Sequence, residues 1–252
     1  MPKLFNLGTN KQGLVVYGGE SSADYGMVVS EAPAYERPVR KQTSYSVPGR
    51  NGVILFQEDA WEDVTRSYNM WAAADVDSLE EKINAFGAFL NSQKGYVRLE
   101  DNFEPDFFRL AYYSGGDGFT NHMTMYGEAT INFTCRPEKF YKSGEFAIAV
   151  VNNDKIFNPT LYNAKPLIYI EGSGTITITS GGNTISATLT DFMNIDCDAM
   201  NAYKLEYGDW GPYQSLNDKV SGSFPILKPG ANTIGITGSV TKVTIQPRHF
   251  TI

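Results

Sequence analysis

The sequence reads YSVPGRNGVILF at residues 45–56, and the interpretation of the whole chain starts from this stretch. Two runs of strand-forming residues flank a break that contains one proline and two glycines. Asn51-Gly52 is a dipeptide that favours a two-residue hairpin turn, because both central residues of that turn need left-handed geometry. Pro48 has no N–H group for a strand ladder, so it belongs at a strand end or an edge. The stretch therefore predicts a β-hairpin with an exposed Arg50 at its tip.

Composition limits the classes of protein that the chain can belong to. The chain has 252 residues, long enough to bury a large core without disulfide staples. Its hydrophobic fraction of 42% and charged fraction of 19% are typical of a folded globular protein and argue against disorder. The aromatic fraction of 13% suits sheets and protein interfaces. A net charge of −7 without a basic stripe argues against binding to a nucleic-acid backbone.

The cysteines and the first residues of the chain indicate the cellular compartment in which the protein is made. Cys135 and Cys197 are the only cysteines, whereas a secreted protein of this size often carries a disulfide framework. We interpret both as buried thiols made in a reducing cytoplasm, with a single long-range disulfide as the alternative. Residues 1–6 lack the apolar run of a signal peptide. Apolar runs such as 146–151 are too short to span a bilayer, so we expect a soluble protein without membrane insertion.

The first half of the chain combines strand patterns with one helix. SLEE at residues 78–81 is a capping box, and Leu79, Ile83, Phe86 and Leu90 then fall on one helical face. We expect this helix to end near residue 95. Strand patterns occur at residues 13–20, 27–30, 64–71, 96–99, 107–113 and 123–135. The sequence predicts an α+β N-terminal domain at residues 1–137, whose last strand is broken by RPEK at 136–139.

The second half shows no helical period. Short runs rich in Ile and Thr recur, with glycine-containing turns about every eight to twelve residues, which is typical of an antiparallel β-sandwich. The sequence therefore predicts a C-terminal sandwich domain at residues 161–252, and a polar, turn-rich linker or boundary at 138–160. The fold class as a whole is predicted to be mainly β.

A search for catalytic or metal-binding patterns gives weak candidates. The two histidines, His122 and His249, have no partner at metal-ligand spacing, and no nucleophile elbow, zinc-protease helix or phosphate loop occurs. The acidic bend at 101–106 lacks the calcium-loop pattern. Two carboxylate pairs could in principle serve a glycosidase. These pairs are Glu104 with Asp106 and Asp196 with Asp198. Solvated carboxylates are the simpler interpretation, so we expect no enzyme, no metal and no cofactor.

Aromatic residues near the C-terminal third allow a second kind of site. Exposed rings on a sandwich can bind sugar by stacking, and the candidates for that role are Tyr203, Tyr207, Trp210 and Tyr213. The alternative is that these rings cap the core of the sandwich, and this reading is the one that we favour.

Motifs along nearly the whole chain resemble one family. VPGRNG at residues 47–52, followed by EDAWED at 58–63, looks like the N-terminal signature of distal tail proteins of long-tailed, non-contractile bacteriophages, the Dit family. Further markers are FTCRP at 133–137, FNPT at 157–160, AKPLI at 164–168, GSGT at 172–175, IDCD at 195–198 and FPILKPGAN at 224–232. The resemblance rests on the order and spacing of these motifs together.

The resemblance implies a structural virion protein at the tail tip, assembled in the cytoplasm of a bacterial host. Members of the family form a homo-hexameric ring through the N-terminal domain, and a galectin-like or carbohydrate-module-like sandwich projects outward. The implied partners are the tail tube protein, the tape measure protein, the tail-tip hub or tail-associated protein, and receptor-binding or baseplate proteins. DNA passes through the lumen without specific binding. An acidic bias of −7 per chain fits a lumen along which DNA slides.

The hairpin tip is the predicted contact between subunits. A ring needs a heterologous interface that closes on itself, and exposed strand edges are natural joining points. The predicted interface residues are Pro48, Gly49, Arg50, Asn51 and Gly52. The alternative function is a carbohydrate-binding adhesin that contacts the host cell wall.

Overall fold

A computed structural model describes residues 13–73, 79–118, 120–122, 126–205 and 213–252. The chain forms two compact units: one ends at Lys139, and the other spans Phe140–Thr251. Strands make up 58% of the structure, so the predicted mainly-β fold with one α-helix is confirmed. In the described parts of the chain, no helix is long and apolar enough to cross a membrane.

The first unit is an antiparallel sheet that curls around its core. Its elements are β1 (Val15–Tyr17), β2 (Glu20–Ser21), β3 (Met27–Val29), β4 (Arg40–Ser46), β5 (Val53–Trp61), β6 (Val64–Ala73), α1 (Leu79–Ser92), β7 (Val97–Asp101), β8 (Phe107–Gly116), β9 (Thr120–His122) and β10 (Tyr126–Tyr141). The main sheet runs in the order β2-β1-β7-β8-β10-β6-β3. Gly13, just before β1, exchanges backbone hydrogen bonds of 3.2 and 2.8 Å with Val29 in β3. The edge strand β3 thus contacts the segment that leads into β1, at the other side of the sheet.

The single helix packs as its spacing predicts. Leu79, Phe86 and Leu90 are buried, and Ile83 packs against the same core from a partly buried position. Phe89, which the predicted face did not include, is also buried and stacks on Tyr25 at 5.2 Å between ring centroids. Burying each of these side chains contributes about 1.5–3 kcal/mol. Ser78 of the predicted capping box lies outside the described residues.

The strand β10 corrects one prediction. RPEK at residues 136–139 was expected to break the strand, but β10 continues through it to Tyr141. Proline is tolerated in strands where its missing N–H is not required by a neighbour. Pairing of β10 with β6 ends at the pair Cys135–Val64, so Pro137 lies beyond the last hydrogen-bonded pair of that ladder.

The predicted hairpin exists, but its turn is not the one expected. Strands β4 and β5 pair from Ser46–Val53 onward, which leaves residues 47–52 as the loop. The N–H of Arg50 donates to the carbonyl of Val47 at 3.1 Å, and Gly49 has φ 80°. Pro followed by Gly with positive φ is the signature of a type II turn. The chain therefore reverses at Pro48-Gly49, and Asn51-Gly52 does not form the two-residue turn.

Eleven further strands lie in the described part of the second unit. They are β11 (Ile148–Ala149), β12 (Lys155–Asn158), β13 (Leu167–Ser180), β14 (Asn183–Leu189), β15 (Phe192–Asp196), β16 (Asn201–Leu205), β17 (Tyr213–Ser215), β18 (Val220–Gly222), β19 (Gly230–Thr233), β20 (Gly235–Gln246) and β21 (Phe250–Thr251). An eight-stranded sheet runs β11-β20-β13-β15-β16-β17, with β14 and β18 attached through β13. Register shifts between β13 and β20 at Gly172 and between residues 173 and 177 mark irregularities in this pairing. Such bulges bend a sheet, which here encloses an isoleucine-rich core.

Residues of the predicted boundary, 138–160, contribute to the second unit from Phe140 onward. Strand β11 lies at the edge of the large sheet, and β12 pairs with β19. Val150 and Ile156 are buried in the core of this unit. The polar residues between Val150 and Ile156 occupy turns. Their polar composition explains why the sequence predicted a boundary here.

Two adjacent glycines in the turn between β13 and β14 provide a test of the second unit. Gly181 and Gly182 both have positive φ, as a type I′ hairpin turn requires. A Cβ at position 181 would lie 2.4 Å from the carbonyl oxygen of Ile226, whereas a Cβ at 182 meets only the flexible end of Lys228 at 3.6 Å. We expect Gly181→Ala to lower the free energy of unfolding by about 1–3 kcal/mol more than Gly182→Ala. Chemical denaturation of the two variants measures the difference, and equal losses would contradict this clash.

Candidate assembly surface

The strands β4 and β5 form a two-stranded ribbon that is separate from the main sheet. Residues that pair directly in an antiparallel ladder point to the same face. The pairs Tyr45–Ile54 and Thr43–Phe56 therefore share one face, and Ser44–Leu55 and Ser46–Val53 share the other. Both faces of the ribbon carry apolar side chains.

These apolar side chains are open to solvent. The exposed fractions are 57% for Tyr45, 54% for Val53, 47% for Leu55 and 59% for Phe56. The rings of Tyr45 and Phe56 make an edge contact at 5.7 Å, which orders one face. An isolated two-stranded ribbon is only marginally stable in water, and exposed apolar patches mark interaction sites. The ribbon is therefore a candidate interaction surface.

The base of the ribbon is held by a small cluster around Arg40. Its guanidinium forms an ion pair with Asp59 at 3.0 Å and lies 4.8 Å from the ring centroid of Trp61. The N–H of Glu62 donates to the carbonyl of Val39 at 2.8 Å. Asp59 is fully exposed, so the ion pair contributes little to stability. These contacts join the two strands at the end opposite the loop, where Arg40 pairs with Trp61.

All five residues of the predicted interface lie in the exposed loop of this ribbon, at positions 48–52. Sequence reasoning missed the flanking apolar surface formed by Tyr45, Val53, Leu55 and Phe56. The signal was present, because VILF at residues 53–56 is apolar without alternation. A strand of that kind has no polar face to turn toward water.

The acidic bend after β7 is an ion-pair cluster of the first unit. The carboxylate of Asp101 accepts hydrogen bonds from the Arg66 guanidinium at 2.8 Å and the Tyr68 hydroxyl at 2.7 Å. Glu104 lies 3.3 Å from Arg66, 3.4 Å from Arg109 and 2.5 Å from Lys139. Burial would raise the pKa of Asp101, but the hydrogen bond from Tyr68 and the charge of Arg66 outweigh it and lower that pKa.

The cluster engages the carboxylates of Asp101 and Glu104, two of the three acidic residues of the bend that was weighed as a calcium site. Within the described ranges, no group of three or more His, Cys, Asp or Glu side chains could hold a metal ion. Glu104 is engaged by three cations, so it is not placed to act with Asp106 as an acid–base pair.

The second carboxylate pair is also engaged. Asp196 accepts a hydrogen bond from Arg248 at 2.9 Å and from the backbone N–H groups of residues 198 and 199 at 3.0 Å. Burial would raise the pKa of Asp196, but the hydrogen bond from Arg248 outweighs it, and the pKa is lowered. Asp198 pairs with Lys165 at 3.0 Å on the surface. The general acid of a glycosidase needs a raised pKa, whereas the contacts of Asp196 lower its pKa.

The proposed sugar-stacking set is only partly described. Tyr207 and Trp210 lie outside the described residues. Tyr203 and Tyr213 stack on each other, with ring centroids 5.4 Å apart and an angle of 26° between planes. One face of each ring is thereby covered by the other ring, which leaves less stacking surface for a saccharide than two free rings would offer.

Both cysteines and the described histidine are buried in core environments. Cys135 and Cys197 are free thiols, as predicted, with no disulfide between them. Burial raises the pKa of Cys135 to about 11 and that of Cys197 to about 12, which makes both unreactive as nucleophiles. His249 is buried and its pKa is lowered by burial. The side chain of His122 lies outside the described part of the chain.

Comparison with known proteins shows which solved structures share this fold. No protein-family model matches the sequence, and no curated protein is significantly similar to it. Among solved structures, the chain superposes on the SPP1 Dit (gp 19.1) protein with a TM-score of 0.70 at 16% identity, over 95% of this chain and 99% of that one. The chain has a Dit-like fold. The predicted resemblance to distal tail proteins is thus confirmed at the level of the fold.

A second solved structure agrees. The phage p2 baseplate in its activated conformation with Sr contains a chain that matches with a TM-score of 0.52 at 9% identity, over 93% of this chain and 97% of that one. The SPP1 Dit protein is described as a paradigm of the hub adsorption apparatus in phages that infect Gram-positive bacteria. Both matches span almost the whole length of each chain.

Proposed function

We propose that this chain is the distal tail protein of a long-tailed, non-contractile bacteriophage. It forms a homo-hexameric ring at the end of the tail tube, connects the tube to the tail-tip hub and the tape measure protein, and anchors receptor-binding or baseplate proteins. The observation that carries the proposal is the Dit-like fold over 95% of the chain. The protein acts as an assembly component of the virion and not as an enzyme.

The ribbon of β4 and β5 supplies the contact that such a ring needs. It offers apolar side chains on both faces and outer strand edges that pair with no third strand among the described residues, and the loop residues 47–52 are exposed at its end. A neighbouring copy that covers this surface would remove apolar area from water and pair the free edges. Because the ribbon is one surface and its receiver another, the contact is heterologous, which is the type of contact that a closed ring of identical chains uses.

The charge of the chain agrees with passage of DNA through the ring. Six copies at −7 each would carry −42, which disfavours adhesion of a phosphate backbone. We propose that DNA crosses the lumen without specific binding. Assembly takes place in the cytoplasm of the bacterial host, where the free buried thiols remain reduced.

Light scattering of the purified full-length protein tests the proposal. We expect a mass equal to six chains, and a closed ring with a central hole in negatively stained images. A monomer at every concentration, with no ladder after chemical cross-linking, would overturn the ring. The adhesin alternative predicts saturable binding of host-wall saccharides by a monomer, and a saccharide titration of the same sample distinguishes the two functions.

A further inference from the structure

The loop at the end of the ribbon holds a dipeptide in an unusual setting. Asn51-Gly52 is the only Asn-Gly pair in the sequence, and both residues are exposed. The turn is closed by the Arg50–Val47 hydrogen bond, and no described backbone hydrogen bond of the loop engages Asn51 or Gly52. Gly52 has φ 80°, and nothing lies within 4 Å of the place where a Cβ would be. The amide of Gly52 and the side chain of Asn51 are therefore free to approach each other.

We propose that Asn51 is a site of spontaneous deamidation. The backbone nitrogen of Gly52 loses its proton and attacks the side-chain amide carbon of Asn51. A C–N bond forms, ammonia leaves, and a five-membered succinimide ring results. Water then opens the ring at either carbonyl and gives aspartate or isoaspartate at this position. No oxidant, enzyme or metal is needed, and a following glycine removes the side chain that would shield the attacking nitrogen.

Other asparagines of the fold are protected from the same reaction. The side-chain amide of Asn158 donates to the carbonyls of Tyr162 and Leu227, both at 2.8 Å. The residue after it is Pro159, whose nitrogen carries no proton to lose. Asn232 is also buried, and its amide group bonds to the backbone of residues 228 and 230. These two residues are internal controls within the same chain.

The reaction would change the charge of the proposed subunit contact, a consequence that rests on the ring proposed above. Arg50 is the only charged residue between positions 42 and 57. Deamidation places a carboxylate next to it and cancels that single charge. Isoaspartate also adds a carbon to the backbone between positions 51 and 52, which displaces the loop. Chains that stay unassembled would therefore lose competence for assembly, whereas a neighbour that covers the loop would shield it from water.

Peptide mapping by mass spectrometry tests the chemistry. Freshly purified full-length protein is held at mildly alkaline and at mildly acidic pH, and the exchange of NH2 for OH is followed at each asparagine. We expect Asn51 to convert at least about tenfold faster than Asn158 and Asn232, because buried, hydrogen-bonded groups react only through local opening. Conversion should be faster at alkaline pH and absent from Asn51→Gln. An Asn51 that persists as long as the two buried controls would overturn the proposal.

The effect of deamidation on assembly is measured separately, as the fraction of chains in rings. We expect Asn51→Asp to show a smaller ring fraction by light scattering than the unaltered protein, and ring fractions to deamidate more slowly than free chains. An unchanged ring fraction together with rapid conversion would overturn the link to assembly and leave the chemistry in place. A protein that deamidates but never forms a ring would refute the proposed function instead, so the two failures are distinguishable.

Discussion

Replacement of Arg66 by methionine is expected to lower the free energy of unfolding of the first unit by about 3–5 kcal/mol. The guanidinium is 1% exposed and holds two carboxylates that are themselves mostly buried, Asp101 at 2.8 Å and Glu104 at 3.3 Å. Methionine fills a similar volume but leaves these carboxylates with fewer cations. The dominant loss is the cost of the buried charge of Asp101, which keeps the Tyr68 hydrogen bond but loses its cation, and chemical denaturation measures it.

The same variant should reverse the way in which the contribution of Asp101 to stability depends on pH. In the unaltered protein the lowered pKa of Asp101 stabilises the fold above the ordinary pKa of Asp, about 3.9, and this contribution is lost as pH falls below it. Without Arg66 the burial of Asp101 remains, so its pKa rises and protonation relieves the buried charge. The gap in stability between Arg66→Met and the unaltered protein is therefore expected to narrow as pH falls from 7 toward about 4.

A matched control separates a buried ion pair from an exposed one. Lys165→Met breaks the Lys165–Asp198 pair at 3.0 Å, in which both side chains are about half exposed. This substitution is expected to lower the free energy of unfolding by no more than about 1 kcal/mol. The difference from the unaltered protein is not expected to narrow at low pH. Equal effects of the two substitutions would show that the cluster around Arg66 is solvated in solution and does not hold the first unit together.

The sequence could predict elements whose signal is local. Leu79, Phe86 and Leu90 recur at helical spacing, and tertiary packing used the same face. The cluster around Arg66 could not be predicted in this way, because its partners Asp101 and Glu104 lie more than thirty positions away and reach it only through the curl of the sheet. One clue was available: Arg66 shares the parity of the apolar residues of β6, and a charged side chain on a core face needs a partner.

The two incorrect local predictions have a common cause. At the hairpin, Pro48-Gly49 and Asn51-Gly52 are both competent turn sequences, and the register Ser46–Val53 decides for the first. At residues 136–139 a proline would break a strand that is paired on both sides, but the ladder with β6 has already ended. In each case propensity allowed several answers, and pairing with a distant strand selected one of them.

Substitution of serine for both Leu55 and Phe56 is expected to abolish the proposed ring without unfolding the protein. These side chains lie on opposite faces of the ribbon and are 47% and 59% exposed, so the isolated chain loses little when they become polar. A neighbour that buries them gains about 1.5–3 kcal/mol for each fully covered side chain. Because about half of each side chain is already buried in the isolated chain, their loss should weaken every contact of the ring about tenfold or more, since each 1.4 kcal/mol corresponds to a factor of ten.

The second unit provides the same residue types for a control. Phe157 and Leu161 are 66% and 88% exposed, more than their counterparts in the ribbon. If exposure of apolar surface alone drove association, Phe157→Ser with Leu161→Ser would dissociate the oligomer at least as strongly. If the ribbon forms the contact, the control keeps the mass of six chains by light scattering, whereas the Leu55 and Phe56 double variant has the mass of one. A ring that survives loss of both ribbon side chains would place the subunit contact elsewhere on the chain, because an interface that buries both faces of the ribbon must bury Leu55 on one face and Phe56 on the other.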